Sequence, residues 1–169
     1  MVVATVAAIL DRDLQALARE VAAYPDDSAL WVTPEGISNS SGTLVLHLAG
    51  NIQHFMGAKL GGTGYVRDRE REFSARGVPR ETLLGQIESA RAAVRAAAER
   101  TLGERQAEDF PDPIGGVRVT LGDLLVHLVS HVGYHLGQVD YHRRVVTGSS
   151  QGVDAIRAAE LATARPVAD

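Results

Sequence analysis

At 169 residues, with 45% hydrophobic and 22% charged side chains, the chain is long enough for one globular core and too short for two comfortable ones. A net charge of -4 excludes broad electrostatic capture of nucleic-acid backbones. The absence of cysteine excludes disulfides, thiolate metal ligands and a cysteine nucleophile, so any thiol chemistry needs a sulfur brought by a small molecule.

Aromatic residues make up only 5%, which leaves Leu, Val, Ile and Ala to fill the core and suits packed helices better than a sheet. Val2–Leu10 is apolar, yet it lacks a basic flank and continues into Asp11, Arg12 and Asp13, which is not a signal-peptide pattern. No apolar run reaches the ~18–20 residues that span a bilayer. Neither a membrane nor a nucleic acid is expected as partner, and the expected location is the cytoplasm.

Four segments carry helical periodicity. Leu10, Leu14, Leu17 and Val21 mark the first, which Tyr24-Pro25 ends. The second opens at the capping serines Ser40 and Ser41 and carries Leu44, Leu48 and Phe55 on one face. Between it and the third lie residues 61–78, long enough when extended to cover roughly 60 Å and so to cross the length of a bundle. Within that stretch Arg67, Arg69, Arg71 and Arg76 alternate with Asp68, Glu70 and Glu72, which reads as a self-neutralising loop. The third helix starts near Pro79 and Arg80, where a missing amide hydrogen does no harm, and runs through Leu83, Ile87, Ala90 and Val94 to fray near Gly103. A turn-rich return over 104–119 leads to the fourth, which opens at Thr120, carries Leu121, Leu125, Leu128, Val132 and Val139, and stops near Gly148. The expected fold is therefore all-α, with a bundle domain over 1–150 and a tail over 151–169 that adds a short amphipathic helix near 153–165.

All six histidines fall on two of these helices, His47 and His54 on the second and His127, His131, His135 and His142 on the fourth. Helix propensity gives no reason for that concentration. His131 and His135 stand one turn apart on one face, among Leu128, Val132 and Val139, where two imidazoles can share an ion. His47 lies between Leu44 and Leu48 on the core side of its helix and supplies a third donor. His54 is ~10 Å further along that axis, so only one of the two reaches the level of the pair. Spacing leaves His127/His131 and His131/His135 open as the chelating pair. His54 and His142, each alone on its face, fit hydrogen-bonded core residues better than ligands.

The segments LVLHLAGN at Leu44–Asn51 and HLVSHVGYHLGQ at His127–Gln138, with RDREREFSARG at Arg67–Gly77, resemble the DinB-like superfamily over roughly residues 5–148. These are metal-binding four-helix bundles related to bacillithiol- and mycothiol-dependent transferases, and the third segment is similar to a subgroup of undefined role. The resemblance implies an up-down-down-up bundle with a long crossover between helices two and three. It implies His47, His131 and His135 as ligands of a divalent ion, which selects the His131/His135 pair. At the position before the last ligand, where the family often has another histidine, this chain has Tyr134, and the common basic residue after that ligand is Leu136 here.

Asn51 and Gln138, each one turn beyond a ligand, are candidates to orient imidazoles or a bound molecule, as is Tyr134 beside His135. No carboxylate neighbours the trio in these patterns, so open coordination positions are expected. The function expected is that of a metal-dependent transferase joining an exogenous low-molecular-weight thiol to an electrophilic substrate. The alternatives are a non-catalytic protein stapled by its metal and a metal-dependent hydrolase. Three imidazoles accept nickel, zinc, iron or manganese. A homodimer is expected through the third helix, by way of Leu83–Ile87–Val94 or Ala92–Ala96–Ala97.

Overall fold

The computed structural model describes residues 2–100 and 103–167. Helix α1 spans Val2–Ala22, and α2 spans Ser41–Ile52 and continues in wider π-type turns over Gln53–Gly61. The crossover that follows contains a short helix, α3, at Arg69–Ser74, where sequence patterning suggested only loop. Helix α4 spans Arg80–Ala98 and α5 spans Leu121–Thr147. The described residues contain no strand, only two isolated bridges in the return to α5, and the all-α expectation holds.

Local chemistry sets the ends of these helices. Ser40 caps α2 by accepting from the Thr43 amide, and Thr120 caps α5 by accepting from the Asp123 amide. Pro79 sits at the entrance of α4, and the Asp27 carboxylate, on a distant loop, accepts the Arg80 amide at 2.9 Å. Asp68 caps α3 through the Arg71 amide. Helix α5 stops where Gly148 takes a left-handed φ of 68°.

Helix α1 packs against α4 and α5, and so does α2, which closes a four-membered ring of helices. Cross-helix contacts fix their directions. Asp11 meets Arg91 while Arg80 meets the Ala22 carbonyl, so α1 and α4 are antiparallel. Gln53 bonds Gln86, and Gly57 and Gly61 lie against Ala93 and Ala96, so α2 and α4 run parallel. His47 faces His131 while Tyr24 joins Ser41 to His142, which makes α2 and α5 antiparallel. The crossover spans the length that this parallel pair requires.

Leu10, Leu14 and Leu17 of α1, Leu48 and Ile52 of α2, Leu83 and Ile87 of α4 and Leu125, Leu128 and Val132 of α5 are buried in one core. Their burial is the dominant favourable term in folding, at about 25 cal/mol per Å². It also corrects the expected pairing surface. Leu83, Ile87 and Val94 lie inside, because α1 and α2 both pack on α4; Ala97 is buried, Ala96 half-buried, and only Ala92 is exposed. The amphipathic helix expected near 153–165 is replaced by a single 3-10 turn, Ala158–Glu160, whose surroundings are held to α1 by Arg19 contacts to the Asp154 and Ala155 carbonyls.

Candidate metal centre

The middle of the α2–α5 contact gathers His47, His131 and His135, with one possible donor atom from each lying within 4.8 Å of the others. His47 is buried, while His131 and His135 are half-buried, so the cluster reaches solvent on the α5 side. The Nε2 atoms of His47 and His131 are 3.2 Å apart. Two imidazole nitrogens bound at ~2.0–2.1 Å to one tetrahedral ion are separated by ~3.3 Å, so this pair already stands at ligand spacing.

The partners of the other ring nitrogens assign the tautomers. His47 Nδ1 is 3.0 Å from Glu72 Oε2, and a carboxylate can only accept, so Nδ1 carries the hydrogen and Nε2 presents a lone pair to the cluster. His135 Nδ1 donates to Gln138 Oε1 at 2.6 Å, again leaving Nε2 as the free donor. His131 Nδ1 is buried with no hydrogen-bond partner in the protein. Three imidazoles with converging lone pairs, two of them oriented from behind, fit a divalent cation.

Glu72 corrects the expectation that no carboxylate neighbours the trio. It lies on α3, buried, with its carboxylate clamped by Arg67 Nε at 2.6 Å and Nη2 at 2.8 Å. Gly50 makes room for it, since a Cβ there would meet Glu72 Oε1 at 2.2 Å. Phe73 from the same helix sets its ring 4.8 Å from that of His47, and Arg69 covers the outer face of Phe73. The arginine-rich crossover is thus partly a wall of the centre. The alternating charges hid this role, because a run of mixed charges looks the same whether it is solvated or folded over a histidine.

Electrostatics agree with that arrangement. Burial pushes the Glu72 carboxyl up, but the hydrogen bonds from Arg67 and His47 and the Arg67 charge outweigh it and hold the group below the usual carboxylate range. Burial, followed by the neighbouring His135, His47 and His127, lowers His131 to about 4. Burial also lowers His135, against the opposing hydrogen bond to Gln138. Both rings are therefore neutral at physiological pH, the form that can donate to a metal.

The remaining site candidates separate. Tyr134 is 66% exposed, with its ring edge against His135. Asn51 is buried, and its Oδ1 has no protein partner. His127 is exposed and stacks on His131, outside the cluster. His54 packs against Phe55, also outside it. His142 is buried, with Nδ1 2.7 Å from the Tyr24 hydroxyl and Nε2 2.8 Å from the Val32 carbonyl.

The fold and this cluster define an all-α bundle with a candidate three-histidine metal centre between two antiparallel helices. The chain belongs to the DinB superfamily, whose family model matches residues 9–139, from within α1 to beyond His135. No curated protein and no solved structure gives a significant match.

Proposed function

We propose that the protein is a metal-dependent transferase that joins an exogenous low-molecular-weight thiol to an electrophilic small molecule. The observation that carries this reading is the donor set. Three imidazoles converge, and the nearest carboxylate, Glu72, is turned onto His47 Nδ1 and neutralised by Arg67 instead of closing the coordination shell. Structural zinc sites normally have four protein ligands, whereas three leave room for an exogenous one.

His47, His131 and His135 would hold the ion. When bound, a divalent ion supplies a Lewis acid that lowers the pKa of a small thiol at neutral pH. Glu72 keeps His47 in the Nδ1–H tautomer, and Gln138 does the same for His135, so the donor atoms stay aimed without rearrangement. Half-buried His131 and His135 leave an approach from solvent along α5. In the overall reaction the thiol proton goes to water, sulfur forms a bond to the electrophilic carbon, and the leaving group departs with its electron pair. The sulfur has to come from outside, since the chain has no cysteine.

Elemental analysis of protein purified without an affinity tag, followed by a screen of small thiols against electrophiles, tests this reading. One equivalent of a divalent metal and thiol-dependent turnover that vanishes in His131→Ala support it. A loaded protein whose thermal unfolding does not shift with millimolar thiol or imidazole, and which turns over no substrate, leaves a stapling metal instead. We include a homodimer in the proposal, through a surface other than the buried α4 stripe. A light-scattering mass of one 18.0 kDa chain would remove it.

A further inference from the structure

One turn below the histidine cluster, a cleft of about 380 Å³ opens between the loop at 34–39 and the C-terminal half of α5. Its size falls within the ~300–1,000 Å³ of small-molecule sites. Leu44 of α2, Tyr141 and Val145 of α5, and Pro34 and Ile37 of the loop form apolar walls. Ile37, Tyr141 and Val145 are 50%, 73% and 66% exposed, so a bound apolar body would remove their surface from water.

The walls are anchored. His142, at the floor, bonds the Val32 carbonyl on one side and the Tyr24 hydroxyl on the other, which ties the start of the loop to α5 and to the turn that follows α1. The loop then turns through an Ile37 amide bond to the Pro34 carbonyl, with Gly36 at a φ of 79° that only glycine adopts readily. No Lys, Arg, Asp or Glu lines the cleft. An ionised ligand group would lose hydration there without gaining a partner of opposite charge. Gln138 lines the end nearest the metal centre, and its Oε1 holds His135 Nδ1.

We propose that this cleft binds the electrophilic co-substrate, an uncharged small molecule with an apolar or aromatic body, and points its polar end past Gln138 toward the histidine cluster. This inference rests on the proposed transferase reading. The cleft supplies binding energy along the body of the molecule, and the cluster meets its reacting end. Substrates that carry a charge on the body are rejected by the absence of any counter-charge in the walls.

The test follows the methyl resonances of Ile37, Leu44 and Val145 by NMR in the full-length chain during titration with N-benzylacetamide and, separately, with benzoate. The expected result is saturable, millimolar binding of the amide confined to these residues, at least tenfold weaker binding of benzoate there, and at least fivefold weakening in Val145→Arg. Val145 is largely exposed, so that variant should unfold at the wild-type temperature. The same binding is expected in His131→Ala, which separates the two ideas. Wild-type protein that takes up no divalent metal and shows no thiol-dependent turnover, yet fills the cleft, removes the transferase reading alone, while a metal-loaded protein whose cleft stays empty removes this inference alone. Equal affinity for benzoate, shifts centred elsewhere, or shifts that track protein concentration with a light-scattering mass of twice the chain would overturn it, the last by showing that a second copy covers the cleft.

Discussion

On helix α5, half-buried His131 and buried His142 stand three turns and roughly 16 Å apart, and they are built in opposite ways. His142 has both ring nitrogens engaged by the protein, one at Tyr24 and one at the Val32 carbonyl. His131 has one nitrogen with no partner and the other facing a second imidazole at 3.2 Å. Burial lowers the pKa of both, so pKa alone does not distinguish them. What separates a histidine that holds a fold together from one prepared for a ligand is whether the protein itself has already satisfied its nitrogens.

Losing each ring should have opposite consequences. His131→Ala or His135→Ala is expected to abolish stoichiometric metal, whereas a His142 variant keeps it. Elemental analysis of tag-free protein reads the difference, and metal retained by His135→Ala but lost from a His142 variant would reverse the assignment.

A second expectation concerns Glu72. Replacing it with Gln removes the charge that orients His47 and leaves Arg67 without its carboxylate. Metal affinity should fall roughly 10- to 100-fold with the helical content unchanged, as measured by competition with a chromophoric chelator. Gly50→Ala should act in the same direction by displacing that carboxylate.

At the other histidine the effect should appear in stability. His142→Phe leaves the Tyr24 hydroxyl and the Val32 carbonyl short of a partner, which costs about 1–3 kcal/mol in denaturant unfolding with metal binding intact. It should also change the pH profile. The folded state favours neutral His142, so wild-type stability from this group is complete above about pH 6.5 and declines as pH falls through the lowered folded value. The groups around it are Tyr24 and Ser41, with Glu20, Asp140 and Arg143 close to Tyr24. If the variant loses stability with acid as steeply as wild type between pH 7 and 5, His142 is not the source.

The smallest expected change is at Gln138. Gln138→Leu removes a neutral, solvent-facing hydrogen bond to His135, and metal affinity should drop only a few-fold, well short of the Glu72 variants. A loss as large as theirs would mean that the two backing residues are equivalent despite their difference in charge and burial.

Much of this molecule was legible before folding was considered. The periodic leucines, the capping Ser40 and Ser41, the opening at Thr120 and the entrance at Pro79 placed the four long helices, because such signals act within a turn or two of chain. The grouping of histidines on one face of α5 likewise follows from helical geometry alone, as does the absence of any internal thiol from composition. Spacing could not choose between His127 and His135, since both stand one turn from His131; the position of α2 gathers His47 with His131 and His135 and leaves His127 outside the cluster. Nor could the sequence single out Glu72 among the charges of the crossover. Its role depends on α3 docking where Gly50 leaves space and on Arg67 closing over it, contacts between residues more than twenty positions apart in the case of His47. Local patterns determine which elements form and which faces are apolar. Which buried nitrogen is left unsatisfied, and which charge stands behind it, is a property of packing, because only packing removes water from some polar groups and supplies partners to others.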